Sequence, residues 1–401
     1  MLVPAGPMAQ CTPTSSSTLD QEIGSLQRQL NASPSDPVLF YNLAADYAAK
    51  CDGVNTLAFL HKVANADGGL DPEQYRGFAF LHDSAEFKSI VVQIRSKNPP
   101  RIQSHTAFVI KEPNLFPEGM AYARFNGHLY AGSIQRKIVW TNKSGGVHEL
   151  VRPGEDGLAY VGGLHVDEKR KQLWAVSTYF GDAPQSPGMV PGLFVYDLVT
   201  GKHITTLTPS DKGAGYLNDV TVAPSSGDAY STNTDQGAVY AGRRGSHDLQ
   251  LFLPAGTVPG ANGIALSEDE KTLFVAGDFG ITRVDLQTKS FALLPKPTGL
   301  VDASIDGLYF YRQSLVGIQN AIHPGRVVRF YLDPGLTKIT RGEILETYNP
   351  LFQTPTTGCL DGDSLLFMAN TQLHKWMPGK PLPPVSELHD IFIQRIILRN
   401  R

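Results

Sequence analysis

Cysteine is scarce in this chain: three residues, Cys11, Cys51 and Cys359, among 401. They lie far apart, form no CxxC pair and match no zinc-ligand spacing. That excludes a disulfide-rich scaffold and a thiolate metal centre, and each cysteine reads as an unpaired thiol with a packing role. Such usage favours an intracellular or bacterial setting. The N-terminal MLVPAGPMAQCTPTSSST lacks the basic start and apolar core of a signal peptide. A trimmed, exported protein fits as well, so the compartment stays open between cytoplasmic and exported. No apolar run approaches the about 20 residues that cross a bilayer. Net charge is −3 with no run of Lys or Arg, which argues against nucleic acid as a partner. No GxSxG nucleophile context and no phosphate-binding P-loop occurs.

What is present falls into two kinds of pattern. Residues 1–18 are rich in Ser, Thr and Pro and read as a flexible tail. Residues 19–98 carry helical spacing. In DPVLFYNLAADYAAK, Leu39, Leu43, Tyr47 and Ala48 share one face, and Asp36-Pro37 forms a cap and first position. NTLAFLHKVANA, EQYRGFAFL and AEFKSIVVQIRS continue the helical pattern. The segment resembles a tetratricopeptide-type helical hairpin with an extra pair, carried by Asn42-Leu43-Ala44, Tyr47-Ala48, Ala58, Ala64 and Pro72. Its two readings are a small helical cap on the main domain and a docking surface for a partner protein. Lys97-Asn98-Pro99-Pro100 reads as a linker.

From residue 101 to 401 the pattern changes to short β-rich runs, such as HLYAGSI, QLWAVSTYF, TLFVAGD and SLLFMAN, separated by Gly, Pro, Asp and Asn. A phrase recurs among them: EGM, GGL, NDV, NGI, DGL and TGC. Its leading residues are Glu118, Gly162, Asn218, Asn262, Asp306 and Thr357, at steps of 44, 56, 44, 44 and 51. A period of about 40–50 residues with several strands each predicts an all-β propeller, here with six blades. Equal positions in a propeller sit at equal depth around its axis, so these residues are expected to form one ring at the channel mouth.

Four members of that ring, Glu118, Asn218, Asn262 and Asp306, offer two carboxylates and two amide oxygens. An all-oxygen set of charge −2 suits a hard divalent cation. Ca²⁺ fits best, with Mg²⁺ or another divalent ion as the alternative. Asn-Gly and Asp-Gly are also ordinary turn dipeptides; the argument for a metal is their shared phase. Asp219 stands where most repeats have Gly, and is the candidate nucleophile or general base. His323, and less so His374, are candidate proton shuttles. Asn233, Asp278, Asn320 and Asn370 end the second strands and are candidate contacts for a small-molecule substrate, with Tyr216 beside Asn218.

At FPEGMAY, YLNDVTVAPSSGDAYSTN, NGIALSEDEKTLFVAGD and IDGLYF the chain resembles the gluconolactonase, regucalcin and diisopropylfluorophosphatase group of six-bladed propellers, over roughly residues 105–400. The resemblance implies one catalytic calcium held by Glu118, Asn218, Asn262 and Asp306, with Asp219 beside it. It also implies hydrolysis of a lactone, ester or organophosphate. Tyr216 stands where an Arg that binds sugar often stands in the lactonases, which points away from a sugar lactone. GLHVDEKRKQLWAV and GLFVYDL also resemble royal-jelly and strictosidine-synthase-like propellers. The alternatives are therefore a biosynthetic propeller enzyme and a non-catalytic binding protein rigidified by its metal.

Overall fold

The computed structural model describes residues 11–13, 17–66, 68–143, 145–179, 187–210 and 216–399. The tail expected over 1–18 lies mostly outside them. Among the described residues no helix is long and apolar enough to cross a membrane.

The chain divides into two compact units. One comprises residues 1–101 with 296–302 and 321–324; the other takes the rest. The helical unit thus recruits two short stretches from far along the chain, which helical periodicity could not reveal. Its helices are α1 (Ser17–Ala32), α2 (Pro37–Ala49), α3 (Gly53–Asn65) and α4 (Ala85–Lys97). Side-chain caps start three of them: Asp36 accepts from Val38 N at 2.8 Å, Asp52 from Asn55 N at 3.0 Å and Ser84 from Phe87 N at 3.1 Å. The buried face of α2 carries Leu39, Leu43 and Ala48. Phe40, Leu60, Phe78, Phe87 and Ile90 join Val301 and Ile322 in the core of this unit. The stretch EQYRGFAFL, expected as a helix like the others, forms two short 3₁₀ turns, Pro72–Gln74 and Arg76–Leu81. Asp71 caps the first of these turns, and Tyr75 is extended between the two, which breaks the α pattern.

Cys11 and Cys51 are joined by a disulfide, which corrects the expectation of three unpaired thiols. Their separation of 40 residues gave no local signal; folding brings the segment before α1 against the end of α2. Cys359 alone is free.

The other unit is mostly β, with its sheets in a propeller-like arrangement. Four sheets have four strands each. A fifth has eight, because the strands Asp248–Leu253 and His203–Pro209 pair in parallel along their edges. The sheet ending in Gly358–Asp361 combines three late strands with the early His105–Ile110, paired antiparallel to Ile391–Ile397. The two ends of the unit therefore close on each other. Apolar clusters fill the spaces between neighbouring sheets, for example Ala121, Tyr130, Val161 and Phe194 between the first two. Phe274 and Phe310 stack at 5.9 Å between two others. Strands buried on both faces, such as Thr272–Gly277 and Ser364–Met368, read as continuous apolar runs for this reason.

Six edge strands position the site, one from each four-stranded sheet and one from each edge of the eight-stranded sheet. These strands are Pro117–Ala123, Tyr160–Asp167, Leu217–Val222, Ile264–Leu266, Ile305–Phe310 and Gly358–Asp361. Four of them carry a bulge at the same place. Pro117 pairs Ser133 and Met120 pairs Ala131, so Glu118 and Gly119 oppose one residue. The same two-against-one count falls at Gly162-Gly163, Asn218-Asp219 and Asp306-Gly307. A bulge bends the strand and re-aims its side chains, and here it does so at the recurring phrase.

A candidate metal centre and its carboxylates

Successive recurring phrases touch around the axis. A Cβ on Gly119 would lie 2.1 Å from the carbonyl oxygen of Gly162, and one on Gly263 would lie 2.4 Å from that of Asp306. The backbones approach so closely that only glycine fits there. Thr356 and Thr357 donate their hydroxyls to the Glu118 carbonyl at 2.8 and 2.7 Å, joining the last sheet to the first. Asn218 Nδ2 donates to Thr234 Oγ1 at 2.7 Å, which in turn donates to the Ala261 carbonyl at 2.7 Å. Asn262 and Asn320 both hydrogen-bond the Asp306 carboxylate.

The ring therefore brings Glu118, Asn218, Asn262 and Asp306 together, with Asp219 and Asn320. Glu118, Asn218, Asp219 and Asp306 are all buried. Burial and the charges of Asp306 and Asp219 push the Glu118 carboxyl well above the usual carboxylate range. Burial, with a contribution from Asp306, pushes Asp219 up to about 7, against hydrogen bonds donated by Val220 N and Ile264 N. Burial pushes Asp306 up to about 6. No cationic side chain acts to lower any of the three. Glu118 Oε2 and Asn262 Oδ1 are buried and accept no hydrogen bond.

Three buried carboxylates and two orphaned acceptor oxygens, with no cationic side chain to offset them, are what a divalent ion would satisfy. Asn218 fits the same set: its amide NH₂ is engaged by Thr234, leaving Oδ1. Among the described residues no group of three His, Cys, Asp or Glu side chains is arranged around one metal position. The candidate set draws half of its oxygens from asparagine, which such a grouping does not count. The residues present fit a hard cation.

The remaining expected residues sit in different places. Tyr216 lies near Glu118 and Asp306, whose charges together with burial raise its phenol. Asn233 is fully buried, and its Oδ1 accepts from Gln236 N at 2.9 Å, capping a turn. Asn370 is satisfied by Asp390 and Phe392 at 2.8 and 2.7 Å and pins the last strand. Asp278 is exposed on the turn between two strands. His374 is a surface partner of Thr354 at 2.9 Å. His323 belongs to the helical unit, where its carbonyl accepts from Asp71 N at 2.7 Å.

Two residues near the ring went unnoticed in the sequence. Tyr309 accepts from Gly358 N at 2.5 Å, and burial together with Asp219 raises its phenol. Gly163 leaves the space that the Asp219 carboxylate fills: a Cβ there would lie 2.2 Å from Asp219 Oδ1. Its signal was available, since GGL is the repeat with a second glycine where Asp219 needs room.

No family model and no curated protein matches this chain. Solved structures do match, among them one described as "Crystal structure of Nidogen/Laminin Complex". It is 13% identical, with a TM-score of 0.45, over 57% of this chain and 80% of that one.

Proposed function

We propose that the chain is a calcium-dependent hydrolase of a lactone, ester or phosphoester on a six-bladed propeller. Six blades follow if the eight-stranded sheet is counted as two, since its halves meet through only two residue pairs in parallel. The observation that carries the functional reading is the uncompensated cluster of Glu118, Asp219 and Asp306 with the orphaned oxygens of Glu118 and Asn262. The resemblance at the recurring phrases supports it.

Glu118, Asn218, Asn262 and Asp306 would hold Ca²⁺, with Mg²⁺ or another divalent ion as the substitute. When bound, the ion supplies Lewis-acid polarisation of a substrate carbonyl or phosphoryl oxygen. Asn320 and Asn262 hold Asp306 in place through its carboxylate. Val220 N and Ile264 N fix the Asp219 carboxylate, which Gly163 lets sit at the ring. From there Asp219 takes the proton of an attacking water or attacks directly as a nucleophile. Tyr216 borders the site and orients the substrate.

A panel of lactones, aryl esters and phosphotriesters, assayed with calcium and after its removal, tests this. Turnover of at least one class that disappears in chelator and returns with Ca²⁺ is expected. Full turnover by protein shown to be metal-free removes the reading.

A further inference from the structure

Along the six edge strands that position the ring, the residues that follow it line a second space. It is a cavity of about 400 Å³, bordered by Asp219 at its inner end. The recurring phrases come first in every strand, so this cavity lies beyond the ring on the side away from Glu118, Asn218 and Asn262. Its walls are mostly apolar, with Leu164, Val166, Val222, Leu266, Leu308 and Phe310 among them. Small-molecule pockets have this volume and this balance of apolar wall with a few convergent polar groups.

The polar groups at the inner end are specific. Asp219 offers an acceptor. Tyr309 Oη accepts from Gly358 N at 2.5 Å, which leaves its own proton to donate. His165 lines the same space, and burial pushes it down to about 4, so it adds no positive charge. At the outer end Arg124 Nε lies 3.7 Å from Glu168 Oε1 and Arg170 donates to Asp167 at 2.7 Å, and Lys169 also borders the space. No Lys or Arg lines the inner end, so an anionic group there would face the acceptor oxygens of Asp219 with no cation beside it.

We propose that this cavity is a second small-molecule site, adjoining the ring through Asp219, for a neutral ligand with a compact apolar body and one hydroxyl. The hydroxyl donates to Asp219 and accepts from Tyr309, while the body covers the apolar wall. This assignment does not rest on the hydrolase reading, since it needs neither metal nor turnover.

Cys359 lines the same cavity and is the free thiol of the chain, so it reports occupancy. The experiment follows its alkylation by N-ethylmaleimide in the full chain by intact mass, with 2-naphthol, naphthalene or 2-naphthoate present. Saturating 2-naphthol should slow labelling about tenfold, with and without EDTA, naphthalene should need about tenfold more ligand, and 2-naphthoate should change the rate less than about twofold. Leu266→Trp fills the cavity and should abolish protection; Val166→Phe serves if that variant does not fold. The proposal is overturned by absent protection at the solubility limit of 2-naphthol or by equal protection from 2-naphthoate. Protection that persists in a folded, filled variant overturns it too. Burial pushes the Cys359 thiol up to about 12, so labelling is run at pH 9, and a thiol that still never labels there means a closed cavity and also overturns it.

Discussion

Asp219→Asn separates the electrostatics of the ring from its chemistry. In metal-free protein the Asp219 carboxyl rises from 3.8 to about 7 because burial, and then Asp306, penalise its ionised form. A carboxyl raised in the folded state binds its proton there while the unfolded chain has lost it. The resulting penalty is absent below the unfolded value, grows as pH rises between the two, and is complete above the folded value. At pH 8 it amounts to about 4 kcal/mol, and at pH 5 to about 1.5 kcal/mol. Asparagine keeps the shape and can still accept from Val220 N, but it carries no charge. In EDTA the variant should therefore be more stable than the parent, with a gain larger by about 3 kcal/mol at pH 8 than at pH 5. For a β unit of this size that difference is about 6 °C in melting temperature. Scanning calorimetry of both proteins at the two pH values, with EDTA and then with saturating Ca²⁺, reads it directly. Calcium should erase the gain, because a bound cation compensates the charge. If the variant melts lower than the parent at pH 8 in EDTA, or gains equally at both pH values, the three carboxylates are not the uncompensated cluster described here. The same variant should bind Ca²⁺ and lose most turnover.

Further outcomes follow from the same geometry. Glu118→Ala and Asp306→Ala each remove a ring oxygen. Calorimetric Ca²⁺ affinity should fall by about 100-fold or more, and unchanged affinity refutes the ligand assignment. Gly163→Ala places a methyl 2.2 Å from Asp219 Oδ1, so the carboxylate must move. Turnover should fall about tenfold or more while Ca²⁺ affinity stays within a few-fold, as kinetics and calorimetry on one preparation would show. Cys51→Ser opens a loop of 40 residues, which costs the helical unit about 3–4 kcal/mol if chain entropy governs the effect. Its melting transition should drop while that of the β unit stays. Intact-mass thiol counting should show two free thiols in the variant, Cys11 and Cys359, against one in the parent.

The phase of EGM, NDV, NGI and DGL was legible from residue 118 onward because a closed ring of sheets repeats its geometry, and repetition survives in sequence as spacing. The caps at Asp36 and Asp52 and the apolar strands were legible for a local reason: hydrogen-bonding side chains and burial act within a few residues of where they are written. The bulges are different. Which residue sits opposite Gly119 depends on a partner strand, and Glu118 is re-aimed by a register that no single segment encodes. The same holds for the Cys11–Cys51 bond, for the recruitment of 296–302 and 321–324 into the helical unit, and for the place of His323, all set by contacts far apart in the chain. Asn233 and Asn370 have the same residue type and the same strand-end position as Asn320. Only the fold turns the first two toward backbone groups and leaves the third to hold Asp306. Sequence by itself determined the repeat and the oxygen chemistry of its key positions. Tertiary structure decided which of those oxygens stay without a donor, because an unmet hydrogen bond is a property of everything packed around an atom.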